Sequence, residues 1–95
     1  MTNYVDETKA RLNIILPGLP EELLELYVLL VFTKGKDCTL EDVHDAWAIW
    51  RNQTTPDHRS LIPFNELTEE VQELDRRYML GIHQVASVDK HVGSL

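Results

Sequence analysis

The sequence predicts an all-α fold: a compact four-helix domain with an extended strip, Leu61–Leu67, packed on helices three and four. Three observations predict it. Apolar residues recur at three- and four-residue spacing in four separate segments. Three of these segments open on a capping or helix-starting residue followed by two acids: Glu21-Glu22, Glu41-Asp42 and Glu69-Glu70. Negative charge there meets the positive end of the helix dipole. No segment alternates apolar and polar residues as a half-buried strand would.

The first helix is expected from Asn3 to Leu16, with Val5, Thr8, Leu12 and Ile15 on one stripe. Pro17-Gly18-Leu19-Pro20 stops it, because proline cannot continue a helix and glycine supplies turn conformations. Pro20 is preorganised for the first position of the second helix. That helix ends at Lys34-Gly35-Lys36, where Gly35 suits a left-handed cap. Its middle, Leu23 to Phe32, is interrupted only by Glu25. A helix apolar nearly all round is either central in a core or shared with another subunit. Leu23, Leu26, Tyr27 and Leu30 are therefore the expected interface of a homodimer.

Thr39 caps the third helix, whose stripe is Leu40, Val43, Trp47 and Trp50, and which should end near Asn52. A polar loop, 53–60, leads to the apolar strip. The fourth helix follows Thr68 and buries Leu67, Val71, Leu74, Tyr78, Ile82 and Val85, with Glu73 and Arg77 spaced for a surface pair. The chain after Ala86 reads as a polar tail.

Ninety-five residues make one domain, with 43% hydrophobic and 26% charged residues. The net charge is −7. Nucleic-acid binders carry a basic face, and here Arg76-Arg77 sits among Glu69, Glu70, Glu73 and Asp75. Nucleic acid and anionic membranes are thus unexpected partners. One cysteine, Cys38, fits a reducing compartment. With no signal-peptide pattern and no apolar run long enough to span a bilayer, the expected location is cytoplasmic.

Little of the sequence points to catalysis. Cys38, His44, His58, His83 and His91 are scattered without zinc-site spacing, so no metal or other cofactor is expected. Asp37 beside Cys38 opposes thiolate formation, and Ser60 lies outside any nucleophile elbow. The glycines are isolated, which excludes phosphate loops. The expected protein is not an enzyme. Trp47 and Trp50 read first as core residues, and second as the floor of a pocket that stacks a flat ligand.

His44-Asp45-Ala46-Trp47, then Asp57-His58-Arg59-Ser60-Leu61-Ile62-Pro63-Phe64-Asn65-Glu66-Leu67, then Asp75-Arg76, resembles the RyR domain. This is the small helical repeat named after ryanodine receptors and found also in bacterial and phage proteins. The similarity covers about Thr39 to Ala86. The segment between Trp47 and His58 is shorter than in that family and lacks its Gly-Trp and Tyr-Gly element. The whole chain is similar to short proteins of actinobacteria and their phages, which implies a stand-alone, phage-type module and does not assign it an activity.

Two functions follow as expectations. The first is a non-catalytic protein-interaction module that docks to a host protein and dimerises. The alternative is a binding module for a small ligand, a nucleotide-derived signal, with His44, Trp47, His58, Asp75 and Arg76 around a pocket. A concave pocket lined by these residues discriminates between them. Asp75 is expected to reach the third helix or the following loop, with His44 or a backbone amide as its partner.

Overall fold

Asn3 opens the first helix by accepting the Asp6 N–H on its side-chain oxygen at 2.9 Å. The computed structural model describes residues 3–88. Helix α1 spans Tyr4–Ile15, α2 Glu21–Thr33 and α3 Leu40–Thr54. The expected fourth helix is two pieces, α4 at Glu69–Glu73 and α5 at Arg76–Val88. Short 3-10 turns occupy Gly35–Asp37 and Phe64–Glu66. The described residues contain no strand, and the architecture is the expected all-α four-helix domain. None of the described helices is long and apolar enough to cross a membrane. The tail expected after Ala86, and His91 with it, falls largely outside the described residues.

The α1–α2 turn uses Gly18 at φ +85°, a region open to glycine at no steric cost. Pro20 sits one position before α2, not inside it. Lys9 bridges this hairpin with ion pairs to Glu21 and Glu25. Gly35, at φ +55°, ends α2 as its sequence position predicts. Thr39 and Asp42 form a reciprocal capping box at the start of α3, satisfying two otherwise orphaned amides. That helix runs two residues past its expected end, and the Thr55 N–H returns to the Arg51 carbonyl.

Helix α2 is the centre of the molecule and packs on α1, α3 and α5. Leu12, Leu24, Val28, Val31, Val43, Ile82 and Val85 form the core around it. This corrects the expected interface at two of its four residues. Leu23 is 4% exposed and Tyr27 1%, so neither is available to a second subunit, and Leu26 and Leu30 are half-buried against the core. Of the two environments open to an all-apolar helix, the monomer core is the one α2 occupies. On α1, Val5 is exposed and does not join Thr8 and Leu12 inside.

The strip Leu61–Leu67 is fastened from both sides. His44 Nε2 lies 2.8 Å from the Ile62 carbonyl; a carbonyl only accepts, so Nε2 carries the proton. Gln72 donates its amide to the carbonyls of Phe64 and Leu67 at 3.0 and 3.3 Å. Leu67, the last residue of the strip, is buried.

The break between α4 and α5 is the main departure from the expected helices. The Leu74 and Asp75 amides bond three residues back, to Val71 and Gln72, which tightens the turn. The Asp75 carbonyl then accepts from Tyr78 and Met79, so Asp75 holds the N-cap position of α5. The change of register turns Leu74 out to solvent at 69% exposure, off the stripe where helical spacing placed it. It also re-pairs the charges: Glu73 takes Arg76 at 2.6 and 3.0 Å, while Arg77 lies over the Tyr78 ring.

Candidate functional site

A cleft of about 740 Å³ opens between α2, α3, the loop after α3 and the α4–α5 junction. Four of the five expected pocket residues, His44, Trp47, His58 and Asp75, line it. Arg76 does not; it faces outward to Glu73, and Arg77 takes the place in the cleft wall. The fifth assignment fails because the broken helix rotates this turn.

Capping and packing place each residue. His44 and Trp47 lie on successive turns of α3, with rings stacked at 5.7 Å and 26°. The Phe64 ring of the strip is tilted against His44 at 6.1 Å. His58 meets Trp47 edge-on at 5.2 Å. The Ser60 N–H donates to His58 Nδ1 at 3.0 Å, which leaves the proton on Nε2. His58 therefore folds its own loop over Trp47, while His44 fastens the strip.

The cleft also holds residues that the motif search did not single out as pocket-lining. Arg51 lies over Trp50, 4.6 Å from the ring centroid, and 5.8 Å from that of Trp47. Its Nε is buried without a hydrogen-bond partner. The spacing Trp47…Arg51 is one helical turn, and that i,i+4 relation was the available signal. Tyr27 and Tyr78 close the far side with centroids 5.7 Å apart.

Two carboxylates line the cleft, and they differ. Glu73 is held by Arg76, whose guanidinium keeps its carboxyl below the ordinary range. Asp75 is half-buried and accepts no hydrogen bond among the described residues. Burial pushes its pKa up to about 6, and the nearby His44 works against that rise. Burial, with the Asp75 charge adding to it, also raises the Tyr27 phenol, which stays protonated. Asp75 thus reaches the neighbourhood of His44 as expected, without bonding to it.

The other reactive candidates are closed off. Burial pushes the Cys38 thiol up to about 11, so it holds its proton at neutral pH. His83 Nε2 bonds the Cys38 carbonyl at 2.7 Å and ties α5 to the turn before α3. The described residues contain no cluster of three metal-ligating side chains.

The family Domain of unknown function (DUF7701) matches residues 3–87. The chain belongs to this family. Neither a curated protein nor a solved structure matches it. The matched span takes in the cleft and every helix that lines it, so the cleft is part of the family's domain.

Proposed function

We propose that this protein is a non-catalytic binding module whose cleft takes a small, flat, nucleotide-derived ligand. The observation that carries this reading is the convergence of His44, Trp47, His58 and Asp75 on one concave site. Small-molecule sites combine aromatic walls with a few convergent polar groups, and a perturbed titratable group inside a cleft is a marker of function. The Asp75 carboxylate and the Arg51 Nε are polar groups without partners in such a cleft. The resemblance to the RyR domain at these positions supports the same reading. A single buried thiol supports a cytoplasmic setting.

The test is thermal melting of the full chain with each of the four ribonucleoside 5′-monophosphates. Ligand at ten times its Kd stabilises by about 1.4 kcal/mol, which raises Tm by roughly 5–10 °C in a domain of this size. At least one nucleotide is expected to do this saturably. A melting temperature unmoved by all four contradicts the proposal.

One observation favours a second reading, docking to a host protein. A separate depression of about 450 Å³ lies on the outer side of the strip, between Asp45, Asn52, Pro56 and Pro63. Ile49 and Ile62 are exposed there at 57% and 40%. Self-association through α2 has less support, because among its side chains only Leu29 is a strongly exposed large hydrophobic.

A further inference from the structure

We infer that the cleft reads a guanine base, with the Asp75 carboxylate accepting from the ring N1–H and the 2-amino group. The base arrives in a nucleoside or a nucleoside monophosphate. This inference rests on the ligand-binding reading above and specifies what the ligand presents.

Asp75 occupies the N-cap of α5, a position where an aspartate ordinarily turns its carboxylate onto the second or third amide of the helix. Here that bond is not made. The Tyr78 N–H goes to the Asp75 backbone carbonyl, and the side chain lies in the cleft wall. An ionised carboxylate only accepts hydrogen bonds. The neighbouring His44 directs its Nε2–H to Ile62. No described side chain or amide donates to the Asp75 carboxylate, so a ligand that fills the cleft and displaces solvent has to supply the donors, and a half-buried carboxylate gains most from two at once.

Among the four bases, guanine alone presents two adjacent donors on its base-pairing edge. Adenine sets the N1 lone pair against one carboxylate oxygen. Cytosine does the same with N3, and uracil flanks its single N–H with carbonyl oxygens. The walls suit a planar group of this size. Trp47 is braced by His44 and His58, and the guanidinium of Arg51 lies on Trp50. Aromatic rings and guanidinium planes both stack bases. The guanidinium of Arg51 lines the cleft and offers charged N–H donors to a phosphate or ribose oxygen. The net charge of −7 opposes a di- or triphosphate, which limits the ligand to the less charged forms. A cationic amine would also offer donors, and Arg51 and Arg77 are balanced in the cleft by Glu73 and Asp75, so agmatine is the control that separates a cation from a guanine.

Calorimetric titration of the full chain with guanosine, inosine and adenosine 5′-monophosphates tests this. Inosine keeps N1–H and lacks the 2-amino group. Guanosine monophosphate is expected to bind tightest, inosine monophosphate at least about tenfold weaker, and adenosine monophosphate weakest. In Asp75→Asn the side chain offers one acceptor and one donor, which matches adenine. That variant is expected to weaken guanosine monophosphate at least about tenfold and to prefer adenosine monophosphate. If Asp75→Asn does not fold, the series on the parent chain decides alone. Binding without a guanine preference, or tighter binding of agmatine than of guanosine monophosphate, overturns this inference and leaves the cleft as a ligand site. Binding of none of the nucleotides overturns the ligand-binding reading itself.

Discussion

Asp75 and His44 share the wall of one cleft without a hydrogen bond between them. The imidazole directs Nε2 to the Ile62 carbonyl, 2.8 Å away, and the carboxylate is left facing the cleft with no donor. One residue fastens the strip, and the other carries a partly desolvated charge beside it. A desolvated charge costs stability in the free protein, and binding sites commonly hold such groups.

That cost has a measurable pH signature. Burial raises Asp75 from an ordinary 3.8 to about 6. An acid whose folded pKa lies above its unfolded value makes the folded state bind more protons in the interval between them. The Asp75 contribution to stability therefore falls as pH rises from about 4 to about 6, and the penalty is fully present at pH 7. The Asp75 side chain makes no capping bond, so Asn at this position removes the charge without removing a hydrogen bond. Asp75→Asn is expected to be more stable than the parent at pH 7.5, by about 1 kcal/mol once screening at the open cleft is allowed for. The difference should vanish below pH 4. A variant less stable than the parent at pH 7.5 shows that Asp75 has a donor in the folded protein.

The two histidines should separate by magnitude. His44 is 3% exposed, bonds the strip, stacks on Trp47 and meets the Phe64 ring at a tilt. His44→Ala is expected to cost about 2–3 kcal/mol, from a buried carbonyl left unpaired and a void beside two rings. His58 is half-buried and accepts one amide from its own loop. His58→Ala is expected to cost about 1 kcal/mol. Urea denaturation of both variants checks the order; equal losses would mean that the loop and the strip are one cooperative unit.

Gly81 makes a third prediction about the core. A Cβ built there meets three atoms of the Leu16 side chain at 2.9 to 3.2 Å. Leu16 is fully buried at the end of α1 and cannot swing to solvent. Overpacking of this kind costs about 1–3 kcal/mol, against a helix-propensity gain of about 1 kcal/mol for Ala over Gly. Gly81→Ala is expected to lower Tm in spite of that gain. A rise in Tm would show that α1 and α5 can move apart at no cost.

Most of the helices were legible because caps and periodicity are local. Asn3, Thr39 and Thr68 each accept an amide three residues on, where their sequence positions indicate helix starts. The central place of α2 was legible only as one of two alternatives. An apolar helix looks the same from its sequence whether a neighbouring helix or a second subunit covers it. The break at Leu74–Asp75 was not legible: neither residue is a proline or glycine, and the stripe from Leu67 to Val85 runs unbroken through it. That break moved Arg76 out of the cleft and Arg77 in. The residues of the cleft that came from the RyR-like pattern, His44, Trp47, His58 and Asp75, were brought together as expected. Arg51 was legible only through its i,i+4 spacing from Trp47, because its closer contact, the Trp50 ring, is with a sequence neighbour that no motif records.

The tryptophans provide the most direct measurement. The chain contains two, Trp47 and Trp50, and both line the cleft, so intrinsic fluorescence reports its occupancy. Titration of the parent with guanosine 5′-monophosphate is expected to change the emission to a saturating plateau. The same titration of Asp75→Asn should give a response at least about tenfold weaker in affinity, although that variant melts no lower than the parent. Emission that stays flat in the parent, or drifts without saturating, contradicts the assignment of the cleft as a nucleotide site.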